Sequence, residues 1–69
     1  MKRILVQSVE LLSIGYDAEL HILEAELTDG SVYQFVSVAV EVYAALIQSP
    51  NTWDYFKENI MEKFWVQKL

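Results

Sequence analysis

Two carboxylates stand one residue apart at Glu24 and Glu26, and the chain's single histidine, His21, precedes them in the same segment. On an extended strand, residues i and i+2 point the same way, so the two glutamates form a pair that could exchange a proton. Such work needs burial or mutual repulsion to separate the two pKa values. The intervening residues Leu23, Ala25 and Leu27 are the apolar half of the alternation, which assigns both glutamates to a solvated strand face. His21 has no cysteine or second histidine with which to share a metal ion, so it reads as a solvated or hydrogen-bonded residue. Ser8, Ser13, Ser31, Ser37 and Ser49 lack the surroundings of an activated nucleophile, and no glycine-rich phosphate loop is present. The expectation is a protein without catalysis, metal or cofactor. Tyr33 and Phe35 carry a different chemistry. Facing outward from a sheet, they would form a stacking platform for unpaired bases.

Which way they face depends on the hairpin that holds them. Leu23 to Leu27 and Ser31 to Phe35 alternate on either side of Asp29-Gly30, the strongest short-range hairpin signal in the chain. A two-residue turn at Asp29-Gly30 would pair Leu27 with Val32 and put both aromatics beside Glu24 and Glu26. A three-residue loop, Thr28-Asp29-Gly30, with Gly30 in a bulge pairs Leu27 with Ser31. That register gathers Tyr33, Phe35, Leu23 and Ala25 on one apolar face and leaves Glu24, Glu26 and Gln34 on the other. Burying an aromatic gains about 2 kcal/mol and stranding an amide costs a similar amount, so the bulged register is preferred.

The rest of the chain is read around that hairpin. Leu12, Ile14 and Tyr16 alternate with Leu11, Ser13 and Gly15, a strand with one buried face. Gly15 within it marks a bulge or a close approach of another backbone. Tyr16-Asp17-Ala18-Glu19 is a turn, with Asp17 positioned to bond the backbone onward. Ile4 to Val6 offers an N-terminal edge strand or an ordered arm. Beyond Ser37 the period becomes helical: Ala39, Tyr43, Leu46 and Ile47 form one stripe over Val40–Gln48. Ser49-Pro50 breaks it, and either Ser49 or Asn51 caps a second helix. Trp53, Phe56, Ile60 and Phe64 form that helix's stripe, with Met61 and Trp65 beside it. The expected fold is α+β, one domain over residues 1–69: a three-stranded antiparallel β-meander, with an optional N-terminal edge strand, followed by two α-helices packed on one face.

Composition narrows the functional classes. The 69 residues include no cysteine, so a disulfide framework and a thiolate metal site are both excluded. Hydrophobic residues make up 54%, more than so small a domain can hide alone, which points to a partner surface or a homo-oligomer. The net charge is −5, and between Arg3 and Lys57 the charged side chains are all acidic. Affinity for nucleic acid rests on Lys and Arg neutralising phosphates, so charge weighs against a nucleic-acid partner. No stretch is long enough for a membrane helix, and the start is too short for a signal peptide; no membrane role and a cytoplasmic location are expected.

A family resemblance enters on Ser8, Ile14-Gly15-Tyr16-Asp17, the pattern Leu23-x-Ala25-x-Leu27-x-x-Gly30-x-Val32-Tyr33-x-Phe35, then Val38, Val42-Tyr43, Leu46 and Tyr55-Phe56-x-x-x-Ile60. Over about Gln7 to Phe64 the chain resembles the KTSC domain, a short module found at the C-terminus of some lysyl-tRNA synthetases and also alone. The resemblance implies the fold, no particular reaction, and an RNA-associated setting. The chain departs from the family pattern at Gln34, where a basic residue is frequent, at Ala39, where proline is usual, and at Asn51-Thr52-Trp53, which replaces a Ser-x-Gly step.

Three readings follow. The first is a protein-interaction module, self-association included, with Glu24, Glu26, Val32, Gln34, Val36, Met61 and Trp65 as candidate partner-binding residues; Trp and Met are enriched at interface centres. The second, from the resemblance, is an RNA-associated accessory domain. The third is a small acidic inhibitor of the kind phages encode, presenting carboxylates in place of phosphates.

Overall fold

The hairpin adopts the bulged register. In a computed structural model, which describes residues 3–6 and 10–69, β3 (Ile22–Leu27) pairs with β4 (Val32–Phe35) through Leu23↔Phe35, Glu24↔Gln34, Ala25↔Tyr33 and Glu26↔Val32. The Leu27 N–H donates to the Ser31 carbonyl at 2.8 Å, and the Gly30 N–H donates to the Leu27 carbonyl at 3.0 Å. Gly30 sits at φ +94°, a conformation that glycine reaches without a Cβ clash. The Ser31 N–H donates to Asp29 Oδ1 at 2.9 Å, and that bond holds the Asp29 carboxyl below its ordinary value.

The sheet has five strands where the sequence reading expects three with an optional edge. β1 (Arg3–Leu5) and β5 (Val66–Lys68) flank β2 (Leu11–Asp17), β3 and β4 in the order β1-β2-β3-β4-β5, antiparallel throughout. Consecutive strands thus lie side by side, β1 to β4 through short connections and β4 to β5 through a segment that holds both helices. Asp17 organises the β2–β3 turn, its Oδ1 accepting from the N–H groups of Glu19 and Leu20 at 3.0 and 3.1 Å.

The buried residue at the start of β2 is Leu11, with no exposed surface, while Leu12 is 40% exposed. The register shifts between Leu11 and Ser13, so one extra residue on β2 lets Leu11 and Ile14 share the inner face. Of the two features that Gly15 suggests, a bulge or a close approach, the bulge lies earlier in the strand. The last helix, moreover, does not reach Trp65. Helix α1 (Val40–Gln48) and helix α2 (Thr52–Asn59) form as expected, α2 capped by Asn51, whose Oδ1 accepts from the Asp54 N–H at 3.1 Å. At the far end, the N–H groups of Ile60 and Met61 both reach the Phe56 carbonyl at 3.0 Å, which closes the helix. Residues 62–65 then return the chain to the sheet, where backbone pairing with β4 replaces further helical turns.

Both helices lie on one face of the sheet. Leu11, Ile14, Leu23, Ala25, Phe35, Val38, Leu46, Phe56 and Ile60 form a single buried cluster. Phe35 meets Phe56 edge-on at 5.4 Å and Trp53 stacks on Phe56 at 5.7 Å, arrangements suited to the ring quadrupoles. Tyr16 stacks on Tyr43 at 4.9 Å and donates its hydroxyl to the Val38 carbonyl. Burial, then the charges of Glu41 and Asp17, push that phenol up, so it stays protonated as a donor.

Candidate functional site

Among the described residues no helix covers the opposite face of the sheet, and the registers define what it displays. One cross-strand row runs Arg3↔Gly15↔Glu24↔Gln34↔Gln67 across all five strands. A second runs Leu5↔Ser13↔Glu26↔Val32. By the same alternation Ile22 and Val36 fall at one end of this face. There the Val36 N–H donates to the Trp65 carbonyl at 3.0 Å and draws Trp65 alongside.

The centre of the face is a closed polar network. Gly15 presents no side chain, so Arg3 extends across it to Glu24, with Nε 2.6 Å from Glu24 Oε2 and a second guanidinium nitrogen on the same oxygen. The third guanidinium nitrogen reaches Glu26 Oε1 at 2.9 Å, which also accepts from the Ser13 hydroxyl at 3.1 Å. Gln34 Nε2 donates to Glu24 Oε1 at 2.9 Å. Glu24 is only 9% exposed and Ser13 only 4%, although among the described residues no layer of secondary structure covers them. A buried carboxylate is costly unless paired and hydrogen-bonded, and here both oxygens of Glu24 have partners. Burial alone would raise the Glu24 pKa; the hydrogen bonds from Gln34 and Arg3, with the charge of Arg3, outweigh it and hold the carboxyl below its ordinary 4.5. It therefore stays charged at neutral pH. The acid-only face expected from sequence is corrected to one in which Arg3 bridges two carboxylates.

The rim of the face is apolar and open. Trp65 is 83% exposed, Leu5 82%, Leu69 60% and Val36 37%. As the bulged register implies, Glu24, Glu26, Val32, Gln34 and Val36 share this face, and Trp65 joins them beside Val36. Met61 does not stand with Trp65 on a helix: it lies in the turn that closes α2, 39% exposed. Tyr33 and Phe35 point the other way. Phe35 is buried in the core, and Tyr33 is half-buried, with Lys68 Nζ 5.9 Å from its ring centre. A base-stacking platform built on these two aromatics is not formed.

His21 is exposed in the β2–β3 turn at φ 56°, and its carbonyl accepts from the Val38 N–H at 2.9 Å. Among the described residues no three His, Cys, Asp or Glu side chains gather as a metal site would need. Ser8 lies outside the described residues. No helix among the described residues is long and apolar enough to cross a membrane, a statement that does not bear on β-barrels. The residue of this face that the sequence reading missed is Arg3. Its signal was present in Arg3-x-Leu5 on an edge strand and in a glycine at the position opposite, which leaves room for a long side chain to cross.

A small α+β domain with a closed polar network on an uncovered antiparallel sheet is the class that fold and face define. The chain belongs to the KTSC domain family, whose model matches residues 7–64. It is 40% identical over 58 residues to an uncharacterized protein of Stutzerimonas stutzeri strain A1501, covering 84% of this chain and 82% of that one. Its fold is similar to the crystal structure of a KTSC domain protein from Yersinia pestis, with a TM-score of 0.93, 29% identity, and coverage of 99% of this chain and 96% of that one.

Proposed function

We propose that this KTSC domain is a non-enzymatic protein-interaction module that binds through the uncovered face of its sheet. The observation that carries the reading is Trp65, 83% exposed beside Val36 at the edge of a face otherwise locked by Arg3, Glu24, Gln34, Glu26 and Ser13. A rigid face loses little entropy on docking, and an exposed tryptophan is the side chain most enriched where interfaces draw their energy. The locked carboxylates also weigh against acid–base chemistry, since a lowered Glu24 pKa leaves no proton to give near neutral pH.

The same network disfavours the other two readings. Among the described residues Arg3 is the cation of this face, and its guanidinium is already held by Glu24 and Glu26, which leaves it poorly placed to neutralise a phosphate. An acidic decoy needs free carboxylates, whereas those of Glu24 and Glu26 are bonded within the chain. The test is capture of partners from host lysate on the immobilised chain, compared with Trp65→Ala and Val36→Asp, each checked for an unchanged fold by circular dichroism. The reading expects a captured protein that both substitutions release. Equal capture by the variants, or nothing beyond an empty matrix, contradicts it.

A further inference from the structure

The backbone of β5 has one bonded side and one free side. The Trp65 carbonyl accepts from Val36, and the Leu69 N–H donates to the Val32 carbonyl at 2.8 Å, so residues 65, 67 and 69 direct their polar groups toward β4. By strand alternation, Val66 and Lys68 direct theirs outward from the edge of the sheet. An exposed strand edge of this kind is a template for another strand.

We infer that the partner at this edge is a second copy of the chain, added antiparallel through β5 about a twofold axis at Gln67. The geometry of the edge selects that register. Centred on Gln67, each Val66 exchanges both backbone hydrogen bonds with Lys68 of the other copy, so all four outward-facing residues are satisfied. On the uncovered face, Trp65 of each copy lies opposite Leu69 of the other, and Gln67 lies opposite Gln67. Both members of the apolar pair are largely exposed in the single chain, Trp65 at 83% and Leu69 at 60%. Beside them, Val36, Trp65, Val66 and Gln67 line a shallow pocket of about 320 Å³ that would receive the incoming leucine. The two Gln67 amides, each with a donor and an acceptor end, pair with themselves.

Charge supports the same choice. With this centre, Lys68 faces Val66 of the other copy. A shift of the centre to Lys68 would set two lysines directly opposite, which is destabilising. A shift to Val66 would leave Trp65 opposite Gln67 and uncover Leu69. The other edge strand, β1, offers no equivalent apolar pair: the same operation centred on Ile4 sets Leu5 opposite Arg3, whose guanidinium is bound to Glu24 and Glu26. The assembled sheet would be continuous across both copies, with both uncovered faces on one side.

This inference rests on the interaction reading only in sharing Trp65, and its test separates the two. Sedimentation equilibrium is run on the full chain and on Val66→Lys and Val66→Glu from low micromolar to millimolar concentration. The unsubstituted chain is expected to move reversibly from 8.0 kDa toward twice that mass. Val66→Lys places a cation opposite Lys68 at two symmetric positions and Val66→Glu places an anion there, so their dissociation constants should differ by about tenfold or more in favour of the glutamate. That gap should narrow at high salt. Non-specific association of an apolar patch would fall equally in both variants, because both lose the valine. A strict monomer at millimolar concentration overturns the inference and leaves the capture of a different protein untouched. A dimer indifferent to the sign of the charge at position 66, or one lost on substituting Leu5 instead, overturns it as well.

Discussion

The two faces of one sheet are built from the same five strands by opposite means. The inner face holds Ile14, Leu23, Ala25 and Phe35 against Leu46, Phe56 and Ile60, and its stability comes from apolar area removed from water. The outer face has no layer above it among the described residues. It is ordered by Arg3 lying across Gly15 onto Glu24 and Glu26, with Gln34 donating to the other Glu24 oxygen and Ser13 sharing Glu26 Oε1 with Arg3. Alternation alone makes both faces, and the difference lies in what closes over each. A face stabilised by packing needs a covering element, whereas a face held by a hydrogen-bonded network of side chains can remain open and ordered. Openness with order is what a docking surface needs.

Substitutions on the two sides should separate these contributions. The largest loss is expected from Phe35→Ala, which empties the inner face beneath α2. It should cost about 3–5 kcal/mol in urea denaturation, enough to unfold much of a domain this small. Next comes Arg3→Met, which leaves Glu24 buried with Gln34 as its remaining partner; about 1–3 kcal/mol is expected. The sign of the pH dependence follows from the lowered Glu24 pKa. Its contribution is complete above the ordinary carboxyl value of 4.5 and is lost as pH falls through the lower folded value. Denaturation midpoints of the unsubstituted chain should therefore drop more steeply below pH 4.5 than those of Glu24→Gln.

Gly30→Ala is expected to cost about 1 kcal/mol. A Cβ there meets nothing within 4 Å, so the loss reflects φ +94° alone and should appear as a lower melting temperature with no change in the face. The smallest effect on folding belongs to Trp65→Ala, within about 0.5 kcal/mol, because the side chain stands in water. That variant should nevertheless lose association while folding normally. If Trp65→Ala proved as damaging to stability as Arg3→Met, the division between a structural centre and a binding rim would fail.

Much of the hairpin was legible because two independent signals agreed. Asp29-Gly30 located the turn, and the alternation of Leu23, Ala25, Tyr33 and Phe35 favoured one register over the other. The α1 stripe was legible for the same reason, while the cap of α2 was left between Ser49 and Asn51 and falls to Asn51. Other features depended on interactions distant in sequence. Met61 and Trp65 continue a helical spacing from Trp53 and Phe56, yet the Phe56 carbonyl closes the helix and the free edge of β4 takes up Val66–Lys68. Leu11 and Leu12 are chemically identical, so the local pattern could not say which one a bulge would turn inward. Arg3 stands 21 residues from Glu24, and their pairing becomes visible only when β1, Gly15 and β3 are placed side by side.

The central claim, that the open face is a binding surface anchored by Trp65, is tested most directly by the solvent exposure of that one side chain. In Trp53→Phe, fluorescence reports Trp65 alone. Its emission and quenching by iodide can be followed with rising protein concentration and on adding a captured partner. The account predicts a water-exposed spectrum for the free chain, and a blue shift with protection from iodide as a complex forms. A Trp65 that stays fully quenchable within every complex the chain forms would contradict it.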